Sequence, residues 1–166
     1  KLPFEHENFR NLTLFLAART SAMMLAAPLF WVFMLQYLKM DYKFIALNSM
    51  AMTLSTIASN PFWGYMADKF GYRPILRITT FGAALIPIPW FFMTPENYTY
   101  IIAPAQIWSG VMGAGMVLSQ YNLMLKIAPA EHKEVYIGVH NATLSFAMGV
   151  GAIIGGVLTD LMANHL

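Results

Sequence analysis

Few residues in this chain can do chemistry, and most of them are charges set in or beside apolar runs. The densest group is Gly64-Tyr65-Met66-Ala67-Asp68-Lys69-Phe70-Gly71-Tyr72-Arg73-Pro74. Asp68 sits beside Lys69 and Arg73, so a carboxylate among cations can pair locally or with a helix N-terminus. Gly64 is expected to end one helix and Gly71 to open the turn, because glycine accepts φ > 0 and close backbone approach. An ordinary solvated loop would carry the same charges.

Arg19 is the one cation deep within an apolar run. An intramembrane charge is costly and faces water or a partner. At about 100° per residue Arg19, Met23, Ala26, Phe30, Phe33 and Tyr37 share one helix face, a suitable cavity wall. The alternative is structural pairing, or reach toward the surface from about two and a half turns into the helix. A second stripe aligns Gln106, Ser109, Gly113 and Gln120, with Gly110 beside it. Such polar groups avoid lipid by lining a cavity or bonding to a neighbouring helix. Asn48, Ser55 and Ser59 align with Met52 and read more as interhelical contact. His140, beside Asn141, is a candidate proton-linked group, or a hydrogen-bonded packing histidine.

Other chemistries find no support. There is no cysteine, which removes disulfides, thiolate metal sites and cysteine nucleophiles. His6, His132, His140 and His165 are scattered and form no metal-ligand spacing, so no metal or cofactor is expected. No glycine loop cradles phosphate. A net charge of +2 gives no basis for a nucleic-acid partner. Asn97-Tyr98-Thr99 matches a glycosylation acceptor and is read as chance.

The elements that must position these residues are membrane helices. The chain of 166 residues is 58% hydrophobic and 11% charged, against about 25% charged for soluble domains. Too few polar groups exist to cover a soluble surface. Five apolar segments reach the roughly 20 residues that span a bilayer, at about 11–38, 44–65, 74–93, 98–127 and 135–162. No stretch alternates with period two over a barrel-strand length. Lipid satisfies no backbone group, so helices are expected. Short connections make sequential helices antiparallel. Pro28, Pro87, Pro89 and Pro104 mark bends, as packing geometry or as hinges.

Lysine and arginine set the orientation. Lys1, Arg10, Lys69, Arg73, Arg77, Lys126 and Lys133 lie on one side, and only Lys39 and Lys43 on the other. The richer side is expected in the cytoplasm, with the chain ending outside near His165. The first residues lack a signal-peptide pattern. With Lys1 in place of an initiator methionine, the chain reads as a piece of something longer.

The pattern Gly64-x-x-x-Asp68-Lys69-x-Gly71-x-Arg73 resembles the cytoplasmic signature of the major facilitator superfamily. That family places it between the second and third helices of a six-helix half, as here. Tyr72 stands where the family usually has a second basic residue. The fifth helix resembles the family's antiporter signature through Gly138, Gly151, Gly155 and Gly156, with Ala147 and Ala152 replacing a glycine and the proline. Small residues at this spacing equally let helices pack closely. The resemblance implies an all-α, polytopic bundle in which residues 1–166 supply five of six helices of one half. The lead-in Glu7-Asn8-Phe9-Arg10-Asn11 points to the C-terminal half. It also implies that the first and fourth helices line the central cavity.

The function expected is secondary active transport of a small solute by alternating access. The expected partners are the lipid bilayer, the missing half and a small-molecule substrate, in a bacterial-type inner membrane. A fold of this kind acting as a non-transporting sensor or interaction protein is the alternative. A membrane-embedded enzyme would need converging acid, base or metal groups, and none stands out. No Asp or Glu lies in the middle of any span. A buried acid for proton coupling would have to come from the other half.

Overall fold

The computed structural model describes residues 3–163, so Lys1 and His165 lie outside it. Among the described residues there is no strand, and the fold is all-α, as expected for a bundle of membrane helices. Helix α1 spans Glu7–Val32 and continues into a π-helical turn, Phe33–Tyr37. Helix α2 spans Tyr42–Phe70, α3 Tyr72–Ala84 and the short α4 Pro87–Phe91. Helix α5 spans Tyr98–Ile127 and α6 Lys133–Ala163.

Three local features depart from the sequence expectation. Helix α2 does not end at Gly64 but runs through Pro61 and Gly64 to Phe70. One interior glycine costs only about 1 kcal/mol, which a long helix absorbs. What stops α2 is Gly71, at φ 84° and ψ 161°, whose N–H still donates to the Ala67 carbonyl at 2.8 Å. The same residue is the N-cap of α3, so one glycine ends one helix and starts the next. Pro74 falls in the first turn of α3, where its missing N–H has no helical partner to lose.

The second departure is the break between α3 and α4. Pro87 has no N–H to offer, and its ring would collide with the Ala83 carbonyl in a continuous helix. The last turn tightens instead, with Leu85 N–H donating to Gly82 O at 3.3 Å and Ile86 N–H to Ala83 O at 3.1 Å. The indole of Trp108 on α5 also donates to Gly82 O, at 2.9 Å. The third is the π-turn, whose wider winding ends the regular register of α1 before Phe33 and Tyr37.

Among the described residues, four segments are long and apolar enough to cross a membrane: Glu7–Tyr37, Tyr72–Phe91, Tyr98–Ile127 and Lys133–Leu161. The fifth expected span falls on α2, which is long but interrupted by Asn48, Ser49, Thr53, Ser55, Thr56, Ser59 and Asn60. Six of these donate to carbonyls of their own helix: Asn48 to Phe44, Ser49 to Ile45, Thr53 to Ser49, Ser55 and Thr56 to Met52, and Ser59 to Ser55. A polar group bonded in this way no longer pays the full cost of leaving water.

The chain forms two compact units, Lys1–Met34 with Met124–Leu166, and Leu35–Leu123. In the first, α1 packs along α6. A Cβ on Gly151 would overlap Ser21 O and lie 2.9 Å from Ser21 Cα. A Cβ on Gly155 would overlap Leu25 O and lie 2.9 Å from Leu25 Cα. Only glycine permits this backbone-to-backbone approach. One end of the pair is filled by Phe9, Met124, Ala128 and Tyr136. In the second unit, Trp63, Ala67, Ile75, Met112 and Ala114 form the core. There the Trp63 indole donates to Val111 O at 2.7 Å, and Thr56 Oγ1 donates to Gly110 O at 3.1 Å. Gly115 makes room for the Trp63 ring and Thr79.

Candidate transport site and cytoplasmic motif

The fourth long helix, α5, carries the most informative polar face. Gln106, Ser109 and Gln120 are each half-buried. None of them has a hydrogen bond among the described residues. A Cβ on Gly113, in the same stripe, would meet nothing within 4 Å, so the stripe faces open space. Gly110, one position round the helix, is different: a Cβ there would overlap Ser55 Oγ and Met52 O on α2. The glycine beside the stripe is used for packing and the glycine within it is not. Ser119, adjacent to Gln120, is fully buried with its hydroxyl unpartnered.

Helix α1 holds Arg19, half-buried, with Nη2 at 3.2 Å from Met23 Sδ. Phe30 and Phe33 are half-buried and Tyr37 is exposed. The π-turn carries Phe33 and Tyr37 off the regular face that begins with Arg19, so the structure keeps Arg19, Met23, Ala26 and Phe30 in one register and rotates the last two.

His140 on α6 is buried at 3% exposure, and its Nδ1 lies 3.0 Å from the hydroxyl of buried Thr13 on α1. The Phe9 ring bridges His140 and Tyr136, at centroid distances of 6.3 and 4.7 Å. The Tyr136 hydroxyl is buried and unpartnered. His140 is therefore a polar contact of the α1–α6 pair. Thr13 carries no local signal that would have revealed this role, because its partner is 127 residues away.

On either side of Gly71, Asp68 and Lys69 in the last turn of α2 and Arg73 in the first turn of α3 are all exposed. Asp68 and Arg73 form no ion pair among the described residues, and Lys69 Nζ sits 5.3 Å from the Phe70 ring centroid. A Cβ on Gly64 would meet nothing within 4 Å. Only Gly71 is required by its own backbone. The glycines of α6 also divide: Gly151 and Gly155 touch α1, whereas a Cβ on neighbouring Gly156 would meet nothing within 4 Å. The sequence alone did not single out the two indoles, Trp63 and Trp108, that tie the second unit together. It named Asn97 only in a chance glycosylation match and missed its role in the turn before α5, where its side chain accepts from Thr94 N–H at 2.7 Å and donates to Phe92 O at 2.9 Å.

A family model described as Major Facilitator Superfamily matches residues 12–163. The chain is 31% identical over 105 residues to the class H tetracycline resistance protein of Pasteurella multocida, covering 63% of this chain and 25% of that protein. It is 30% identical over 113 residues to the quinolone resistance protein NorA of Staphylococcus aureus, covering 67% of this chain and 28% of NorA. It is 26% identical over 110 residues to the efflux pump dotC of Dothistroma septosporum, covering 66% of this chain and 18% of the pump. The matched stretch is thus about a quarter of the length of these relatives. No solved structure matches.

Proposed function

The chain belongs to the Major Facilitator Superfamily, and from that premise we propose that it is part of a secondary transporter moving a small organic solute by alternating access. It is an integral, multi-pass membrane protein. One observation carries the reading: the half-buried stripe Gln106, Ser109, Gln120 on α5 has no hydrogen-bond partner among the described residues. In a membrane helix such groups need water, a ligand or a partner on another helix, and we take the first two. The proposed direction is export of an amphipathic organic compound. Support comes from relatives named for tetracycline resistance, quinolone resistance and efflux.

In this reading the chain is five helices of one half, the C-terminal one, and the site is completed by the other half. The cavity candidates are, in one unit, Arg19 and Phe30 on α1 with Phe33 in the π-turn after it, and, in the other unit, Tyr37, Gln106, Ser109 and Gln120. The basic loops face the cytoplasm of a bacterial-type cell membrane. Asp68 and Arg73 act there as a charge latch whose partners lie in the rest of the protein, favouring the outward-open arrangement. His140 is the proton-linked candidate, through its bond to Thr13.

The test is solute flux by the full-length protein in proteoliposomes, with a panel that includes a tetracycline and a quinolone. Flux driven by an imposed ion gradient, or exchange of solute against solute, is expected for at least one compound. Asp68→Asn should insert normally and transport more slowly. A reconstituted, folded protein that moves nothing in the panel under either drive would contradict the proposal.

A further inference from the structure

The geometry points to Arg19 as the recognition group for a carboxylate carried by an apolar substrate, a reading that rests on the transport function proposed above. The first argument is depth. Helix α1 starts at Glu7, so Arg19 lies twelve residues beyond that end and eighteen before Tyr37. At 1.5 Å per residue that is about 18 Å from the nearer end. A span of this length centred on a core of about 30 Å puts Arg19 about 10 Å inside the hydrocarbon boundary. One turn of side-chain reach, about 5 Å, does not bring the guanidinium to the surface.

The second argument is direction. Arg19 Nη2 meets Met23 Sδ, one turn deeper, and not a residue nearer the Glu7 end. The guanidinium is not extended toward the closer membrane surface. The third is its unused capacity. A guanidinium offers five donors, and a thioether is a weak acceptor. Met23 Sδ is the only hydrogen-bond partner of Arg19 among the described residues. Helix α1 has a single acid, Glu7, and α6 has Glu134 and Asp160, all close to helix ends. Neither helix of this unit supplies a mid-span counter-charge.

A planar fork of this kind fits a carboxylate through two parallel hydrogen bonds, each stronger than a neutral one. Beyond it in the same register come Met23, Ala26 and Phe30, which are apolar. The ligand that matches is an organic anion with its carboxylate on Arg19 and an apolar body along α1.

The test uses the purified full-length protein and two probes of one shape, naphthoate and its neutral amide, naphthamide, in equilibrium dialysis. Naphthoate should bind tighter than naphthamide by about tenfold or more, the usual worth of hydrogen bonds to a charged group. Arg19→Gln should abolish that preference while eluting as the native protein does. Arg19→Lys should keep the charge and lose part of the preference, because it lacks the fork. Equal binding of the two probes by the native protein would overturn the inference. So would an Arg19→Gln variant that keeps the preference, the result expected if a carboxylate of the other half already occupies Arg19. If Arg19→Gln does not reach the membrane, Arg19→Lys is read alone, and an undiminished preference overturns the inference. Selective binding without flux would sink the transport reading and leave this one standing. Flux of naphthoate unchanged by Arg19→Gln would do the reverse.

Discussion

Helices α2 and α5 are both polar for membrane helices, and they use their polar groups in opposite ways. On α2, Asn48, Ser49, Thr53, Ser55, Thr56 and Ser59 all donate to carbonyls of their own helix. On α5, Gln106, Ser109 and Gln120 have no hydrogen-bond partner among the described residues. The first set is satisfied wherever the helix sits. The second is satisfied only by something from outside its unit. Residue type alone does not separate the two: Ser49, Ser55 and Ser59 on α2 bond to their own backbone, whereas Ser109 on α5 does not. In the proposed reading, α5 supplies the functional face and α2 is a scaffold tolerant of lipid. Adjacent glycines of α6 repeat it, one touching a backbone and the next touching nothing.

The largest effect is expected where the partner is backbone. Gly155→Ala must push Leu25 and the whole of α1 away, because a carbonyl and a Cα cannot rotate aside. A loss of about 2–3 kcal/mol is expected, near the top of the overpacking range. It should appear as a lower thermal midpoint of the full-length protein in detergent. Gly71→Ala comes next, costing about 2 kcal/mol because φ 84° with ψ 161° is a region essentially reserved for glycine. It should destabilise the turn with Asp68 and Arg73 still present.

Gln120→Ala should slow transport or raise KM by up to about tenfold, the worth of one hydrogen bond to a ligand. The thermal midpoint should not move. Ser49→Ala on α2 should do neither, with a change within about 0.5 kcal/mol in stability and none in flux. If Ser49→Ala and Gln120→Ala had equal effects on transport, the contrast between the helices would fail. The smallest effect is Gly156→Ala, expected to be neutral or to stabilise by up to about 1 kcal/mol through helix propensity. A loss as large as that of Gly155→Ala would mean that Gly156 is covered in the full protein.

Much of this was legible in the sequence because bilayer length and turn chemistry are local. Four of the five expected spans and the Gly71 turn follow from apolar run length and from glycine at φ > 0. Pro87 marked a bend in an expected continuous span, and the structure makes it a break between α3 and α4. The end of α2 was missed because Gly64 looked like a stop, and a single glycine is a weak one. The register change at Phe33 was invisible, since nothing in the residues from Phe33 to Tyr37 demands a π-turn. The Thr13–His140 bond and the two indole-to-carbonyl bonds were also invisible. They join residues 127, 48 and 26 positions apart, and only packing brings them together. The division between satisfied and unsatisfied polar stripes required knowing which donors had found acceptors.

The central claim is that the α5 stripe lines a water-filled pathway. The chain has no cysteine, so single thiols can be placed on a full-length background with any other cysteine replaced. Ser109→Cys on α5 and Ser49→Cys on α2 would be exposed to a membrane-impermeant methanethiosulfonate reagent in sealed vesicles. The account predicts that the thiol at position 109 reacts and is protected by a transported solute, while the thiol at position 49 stays inert. A folded Ser109→Cys protein that is inert from both sides of the membrane would contradict it.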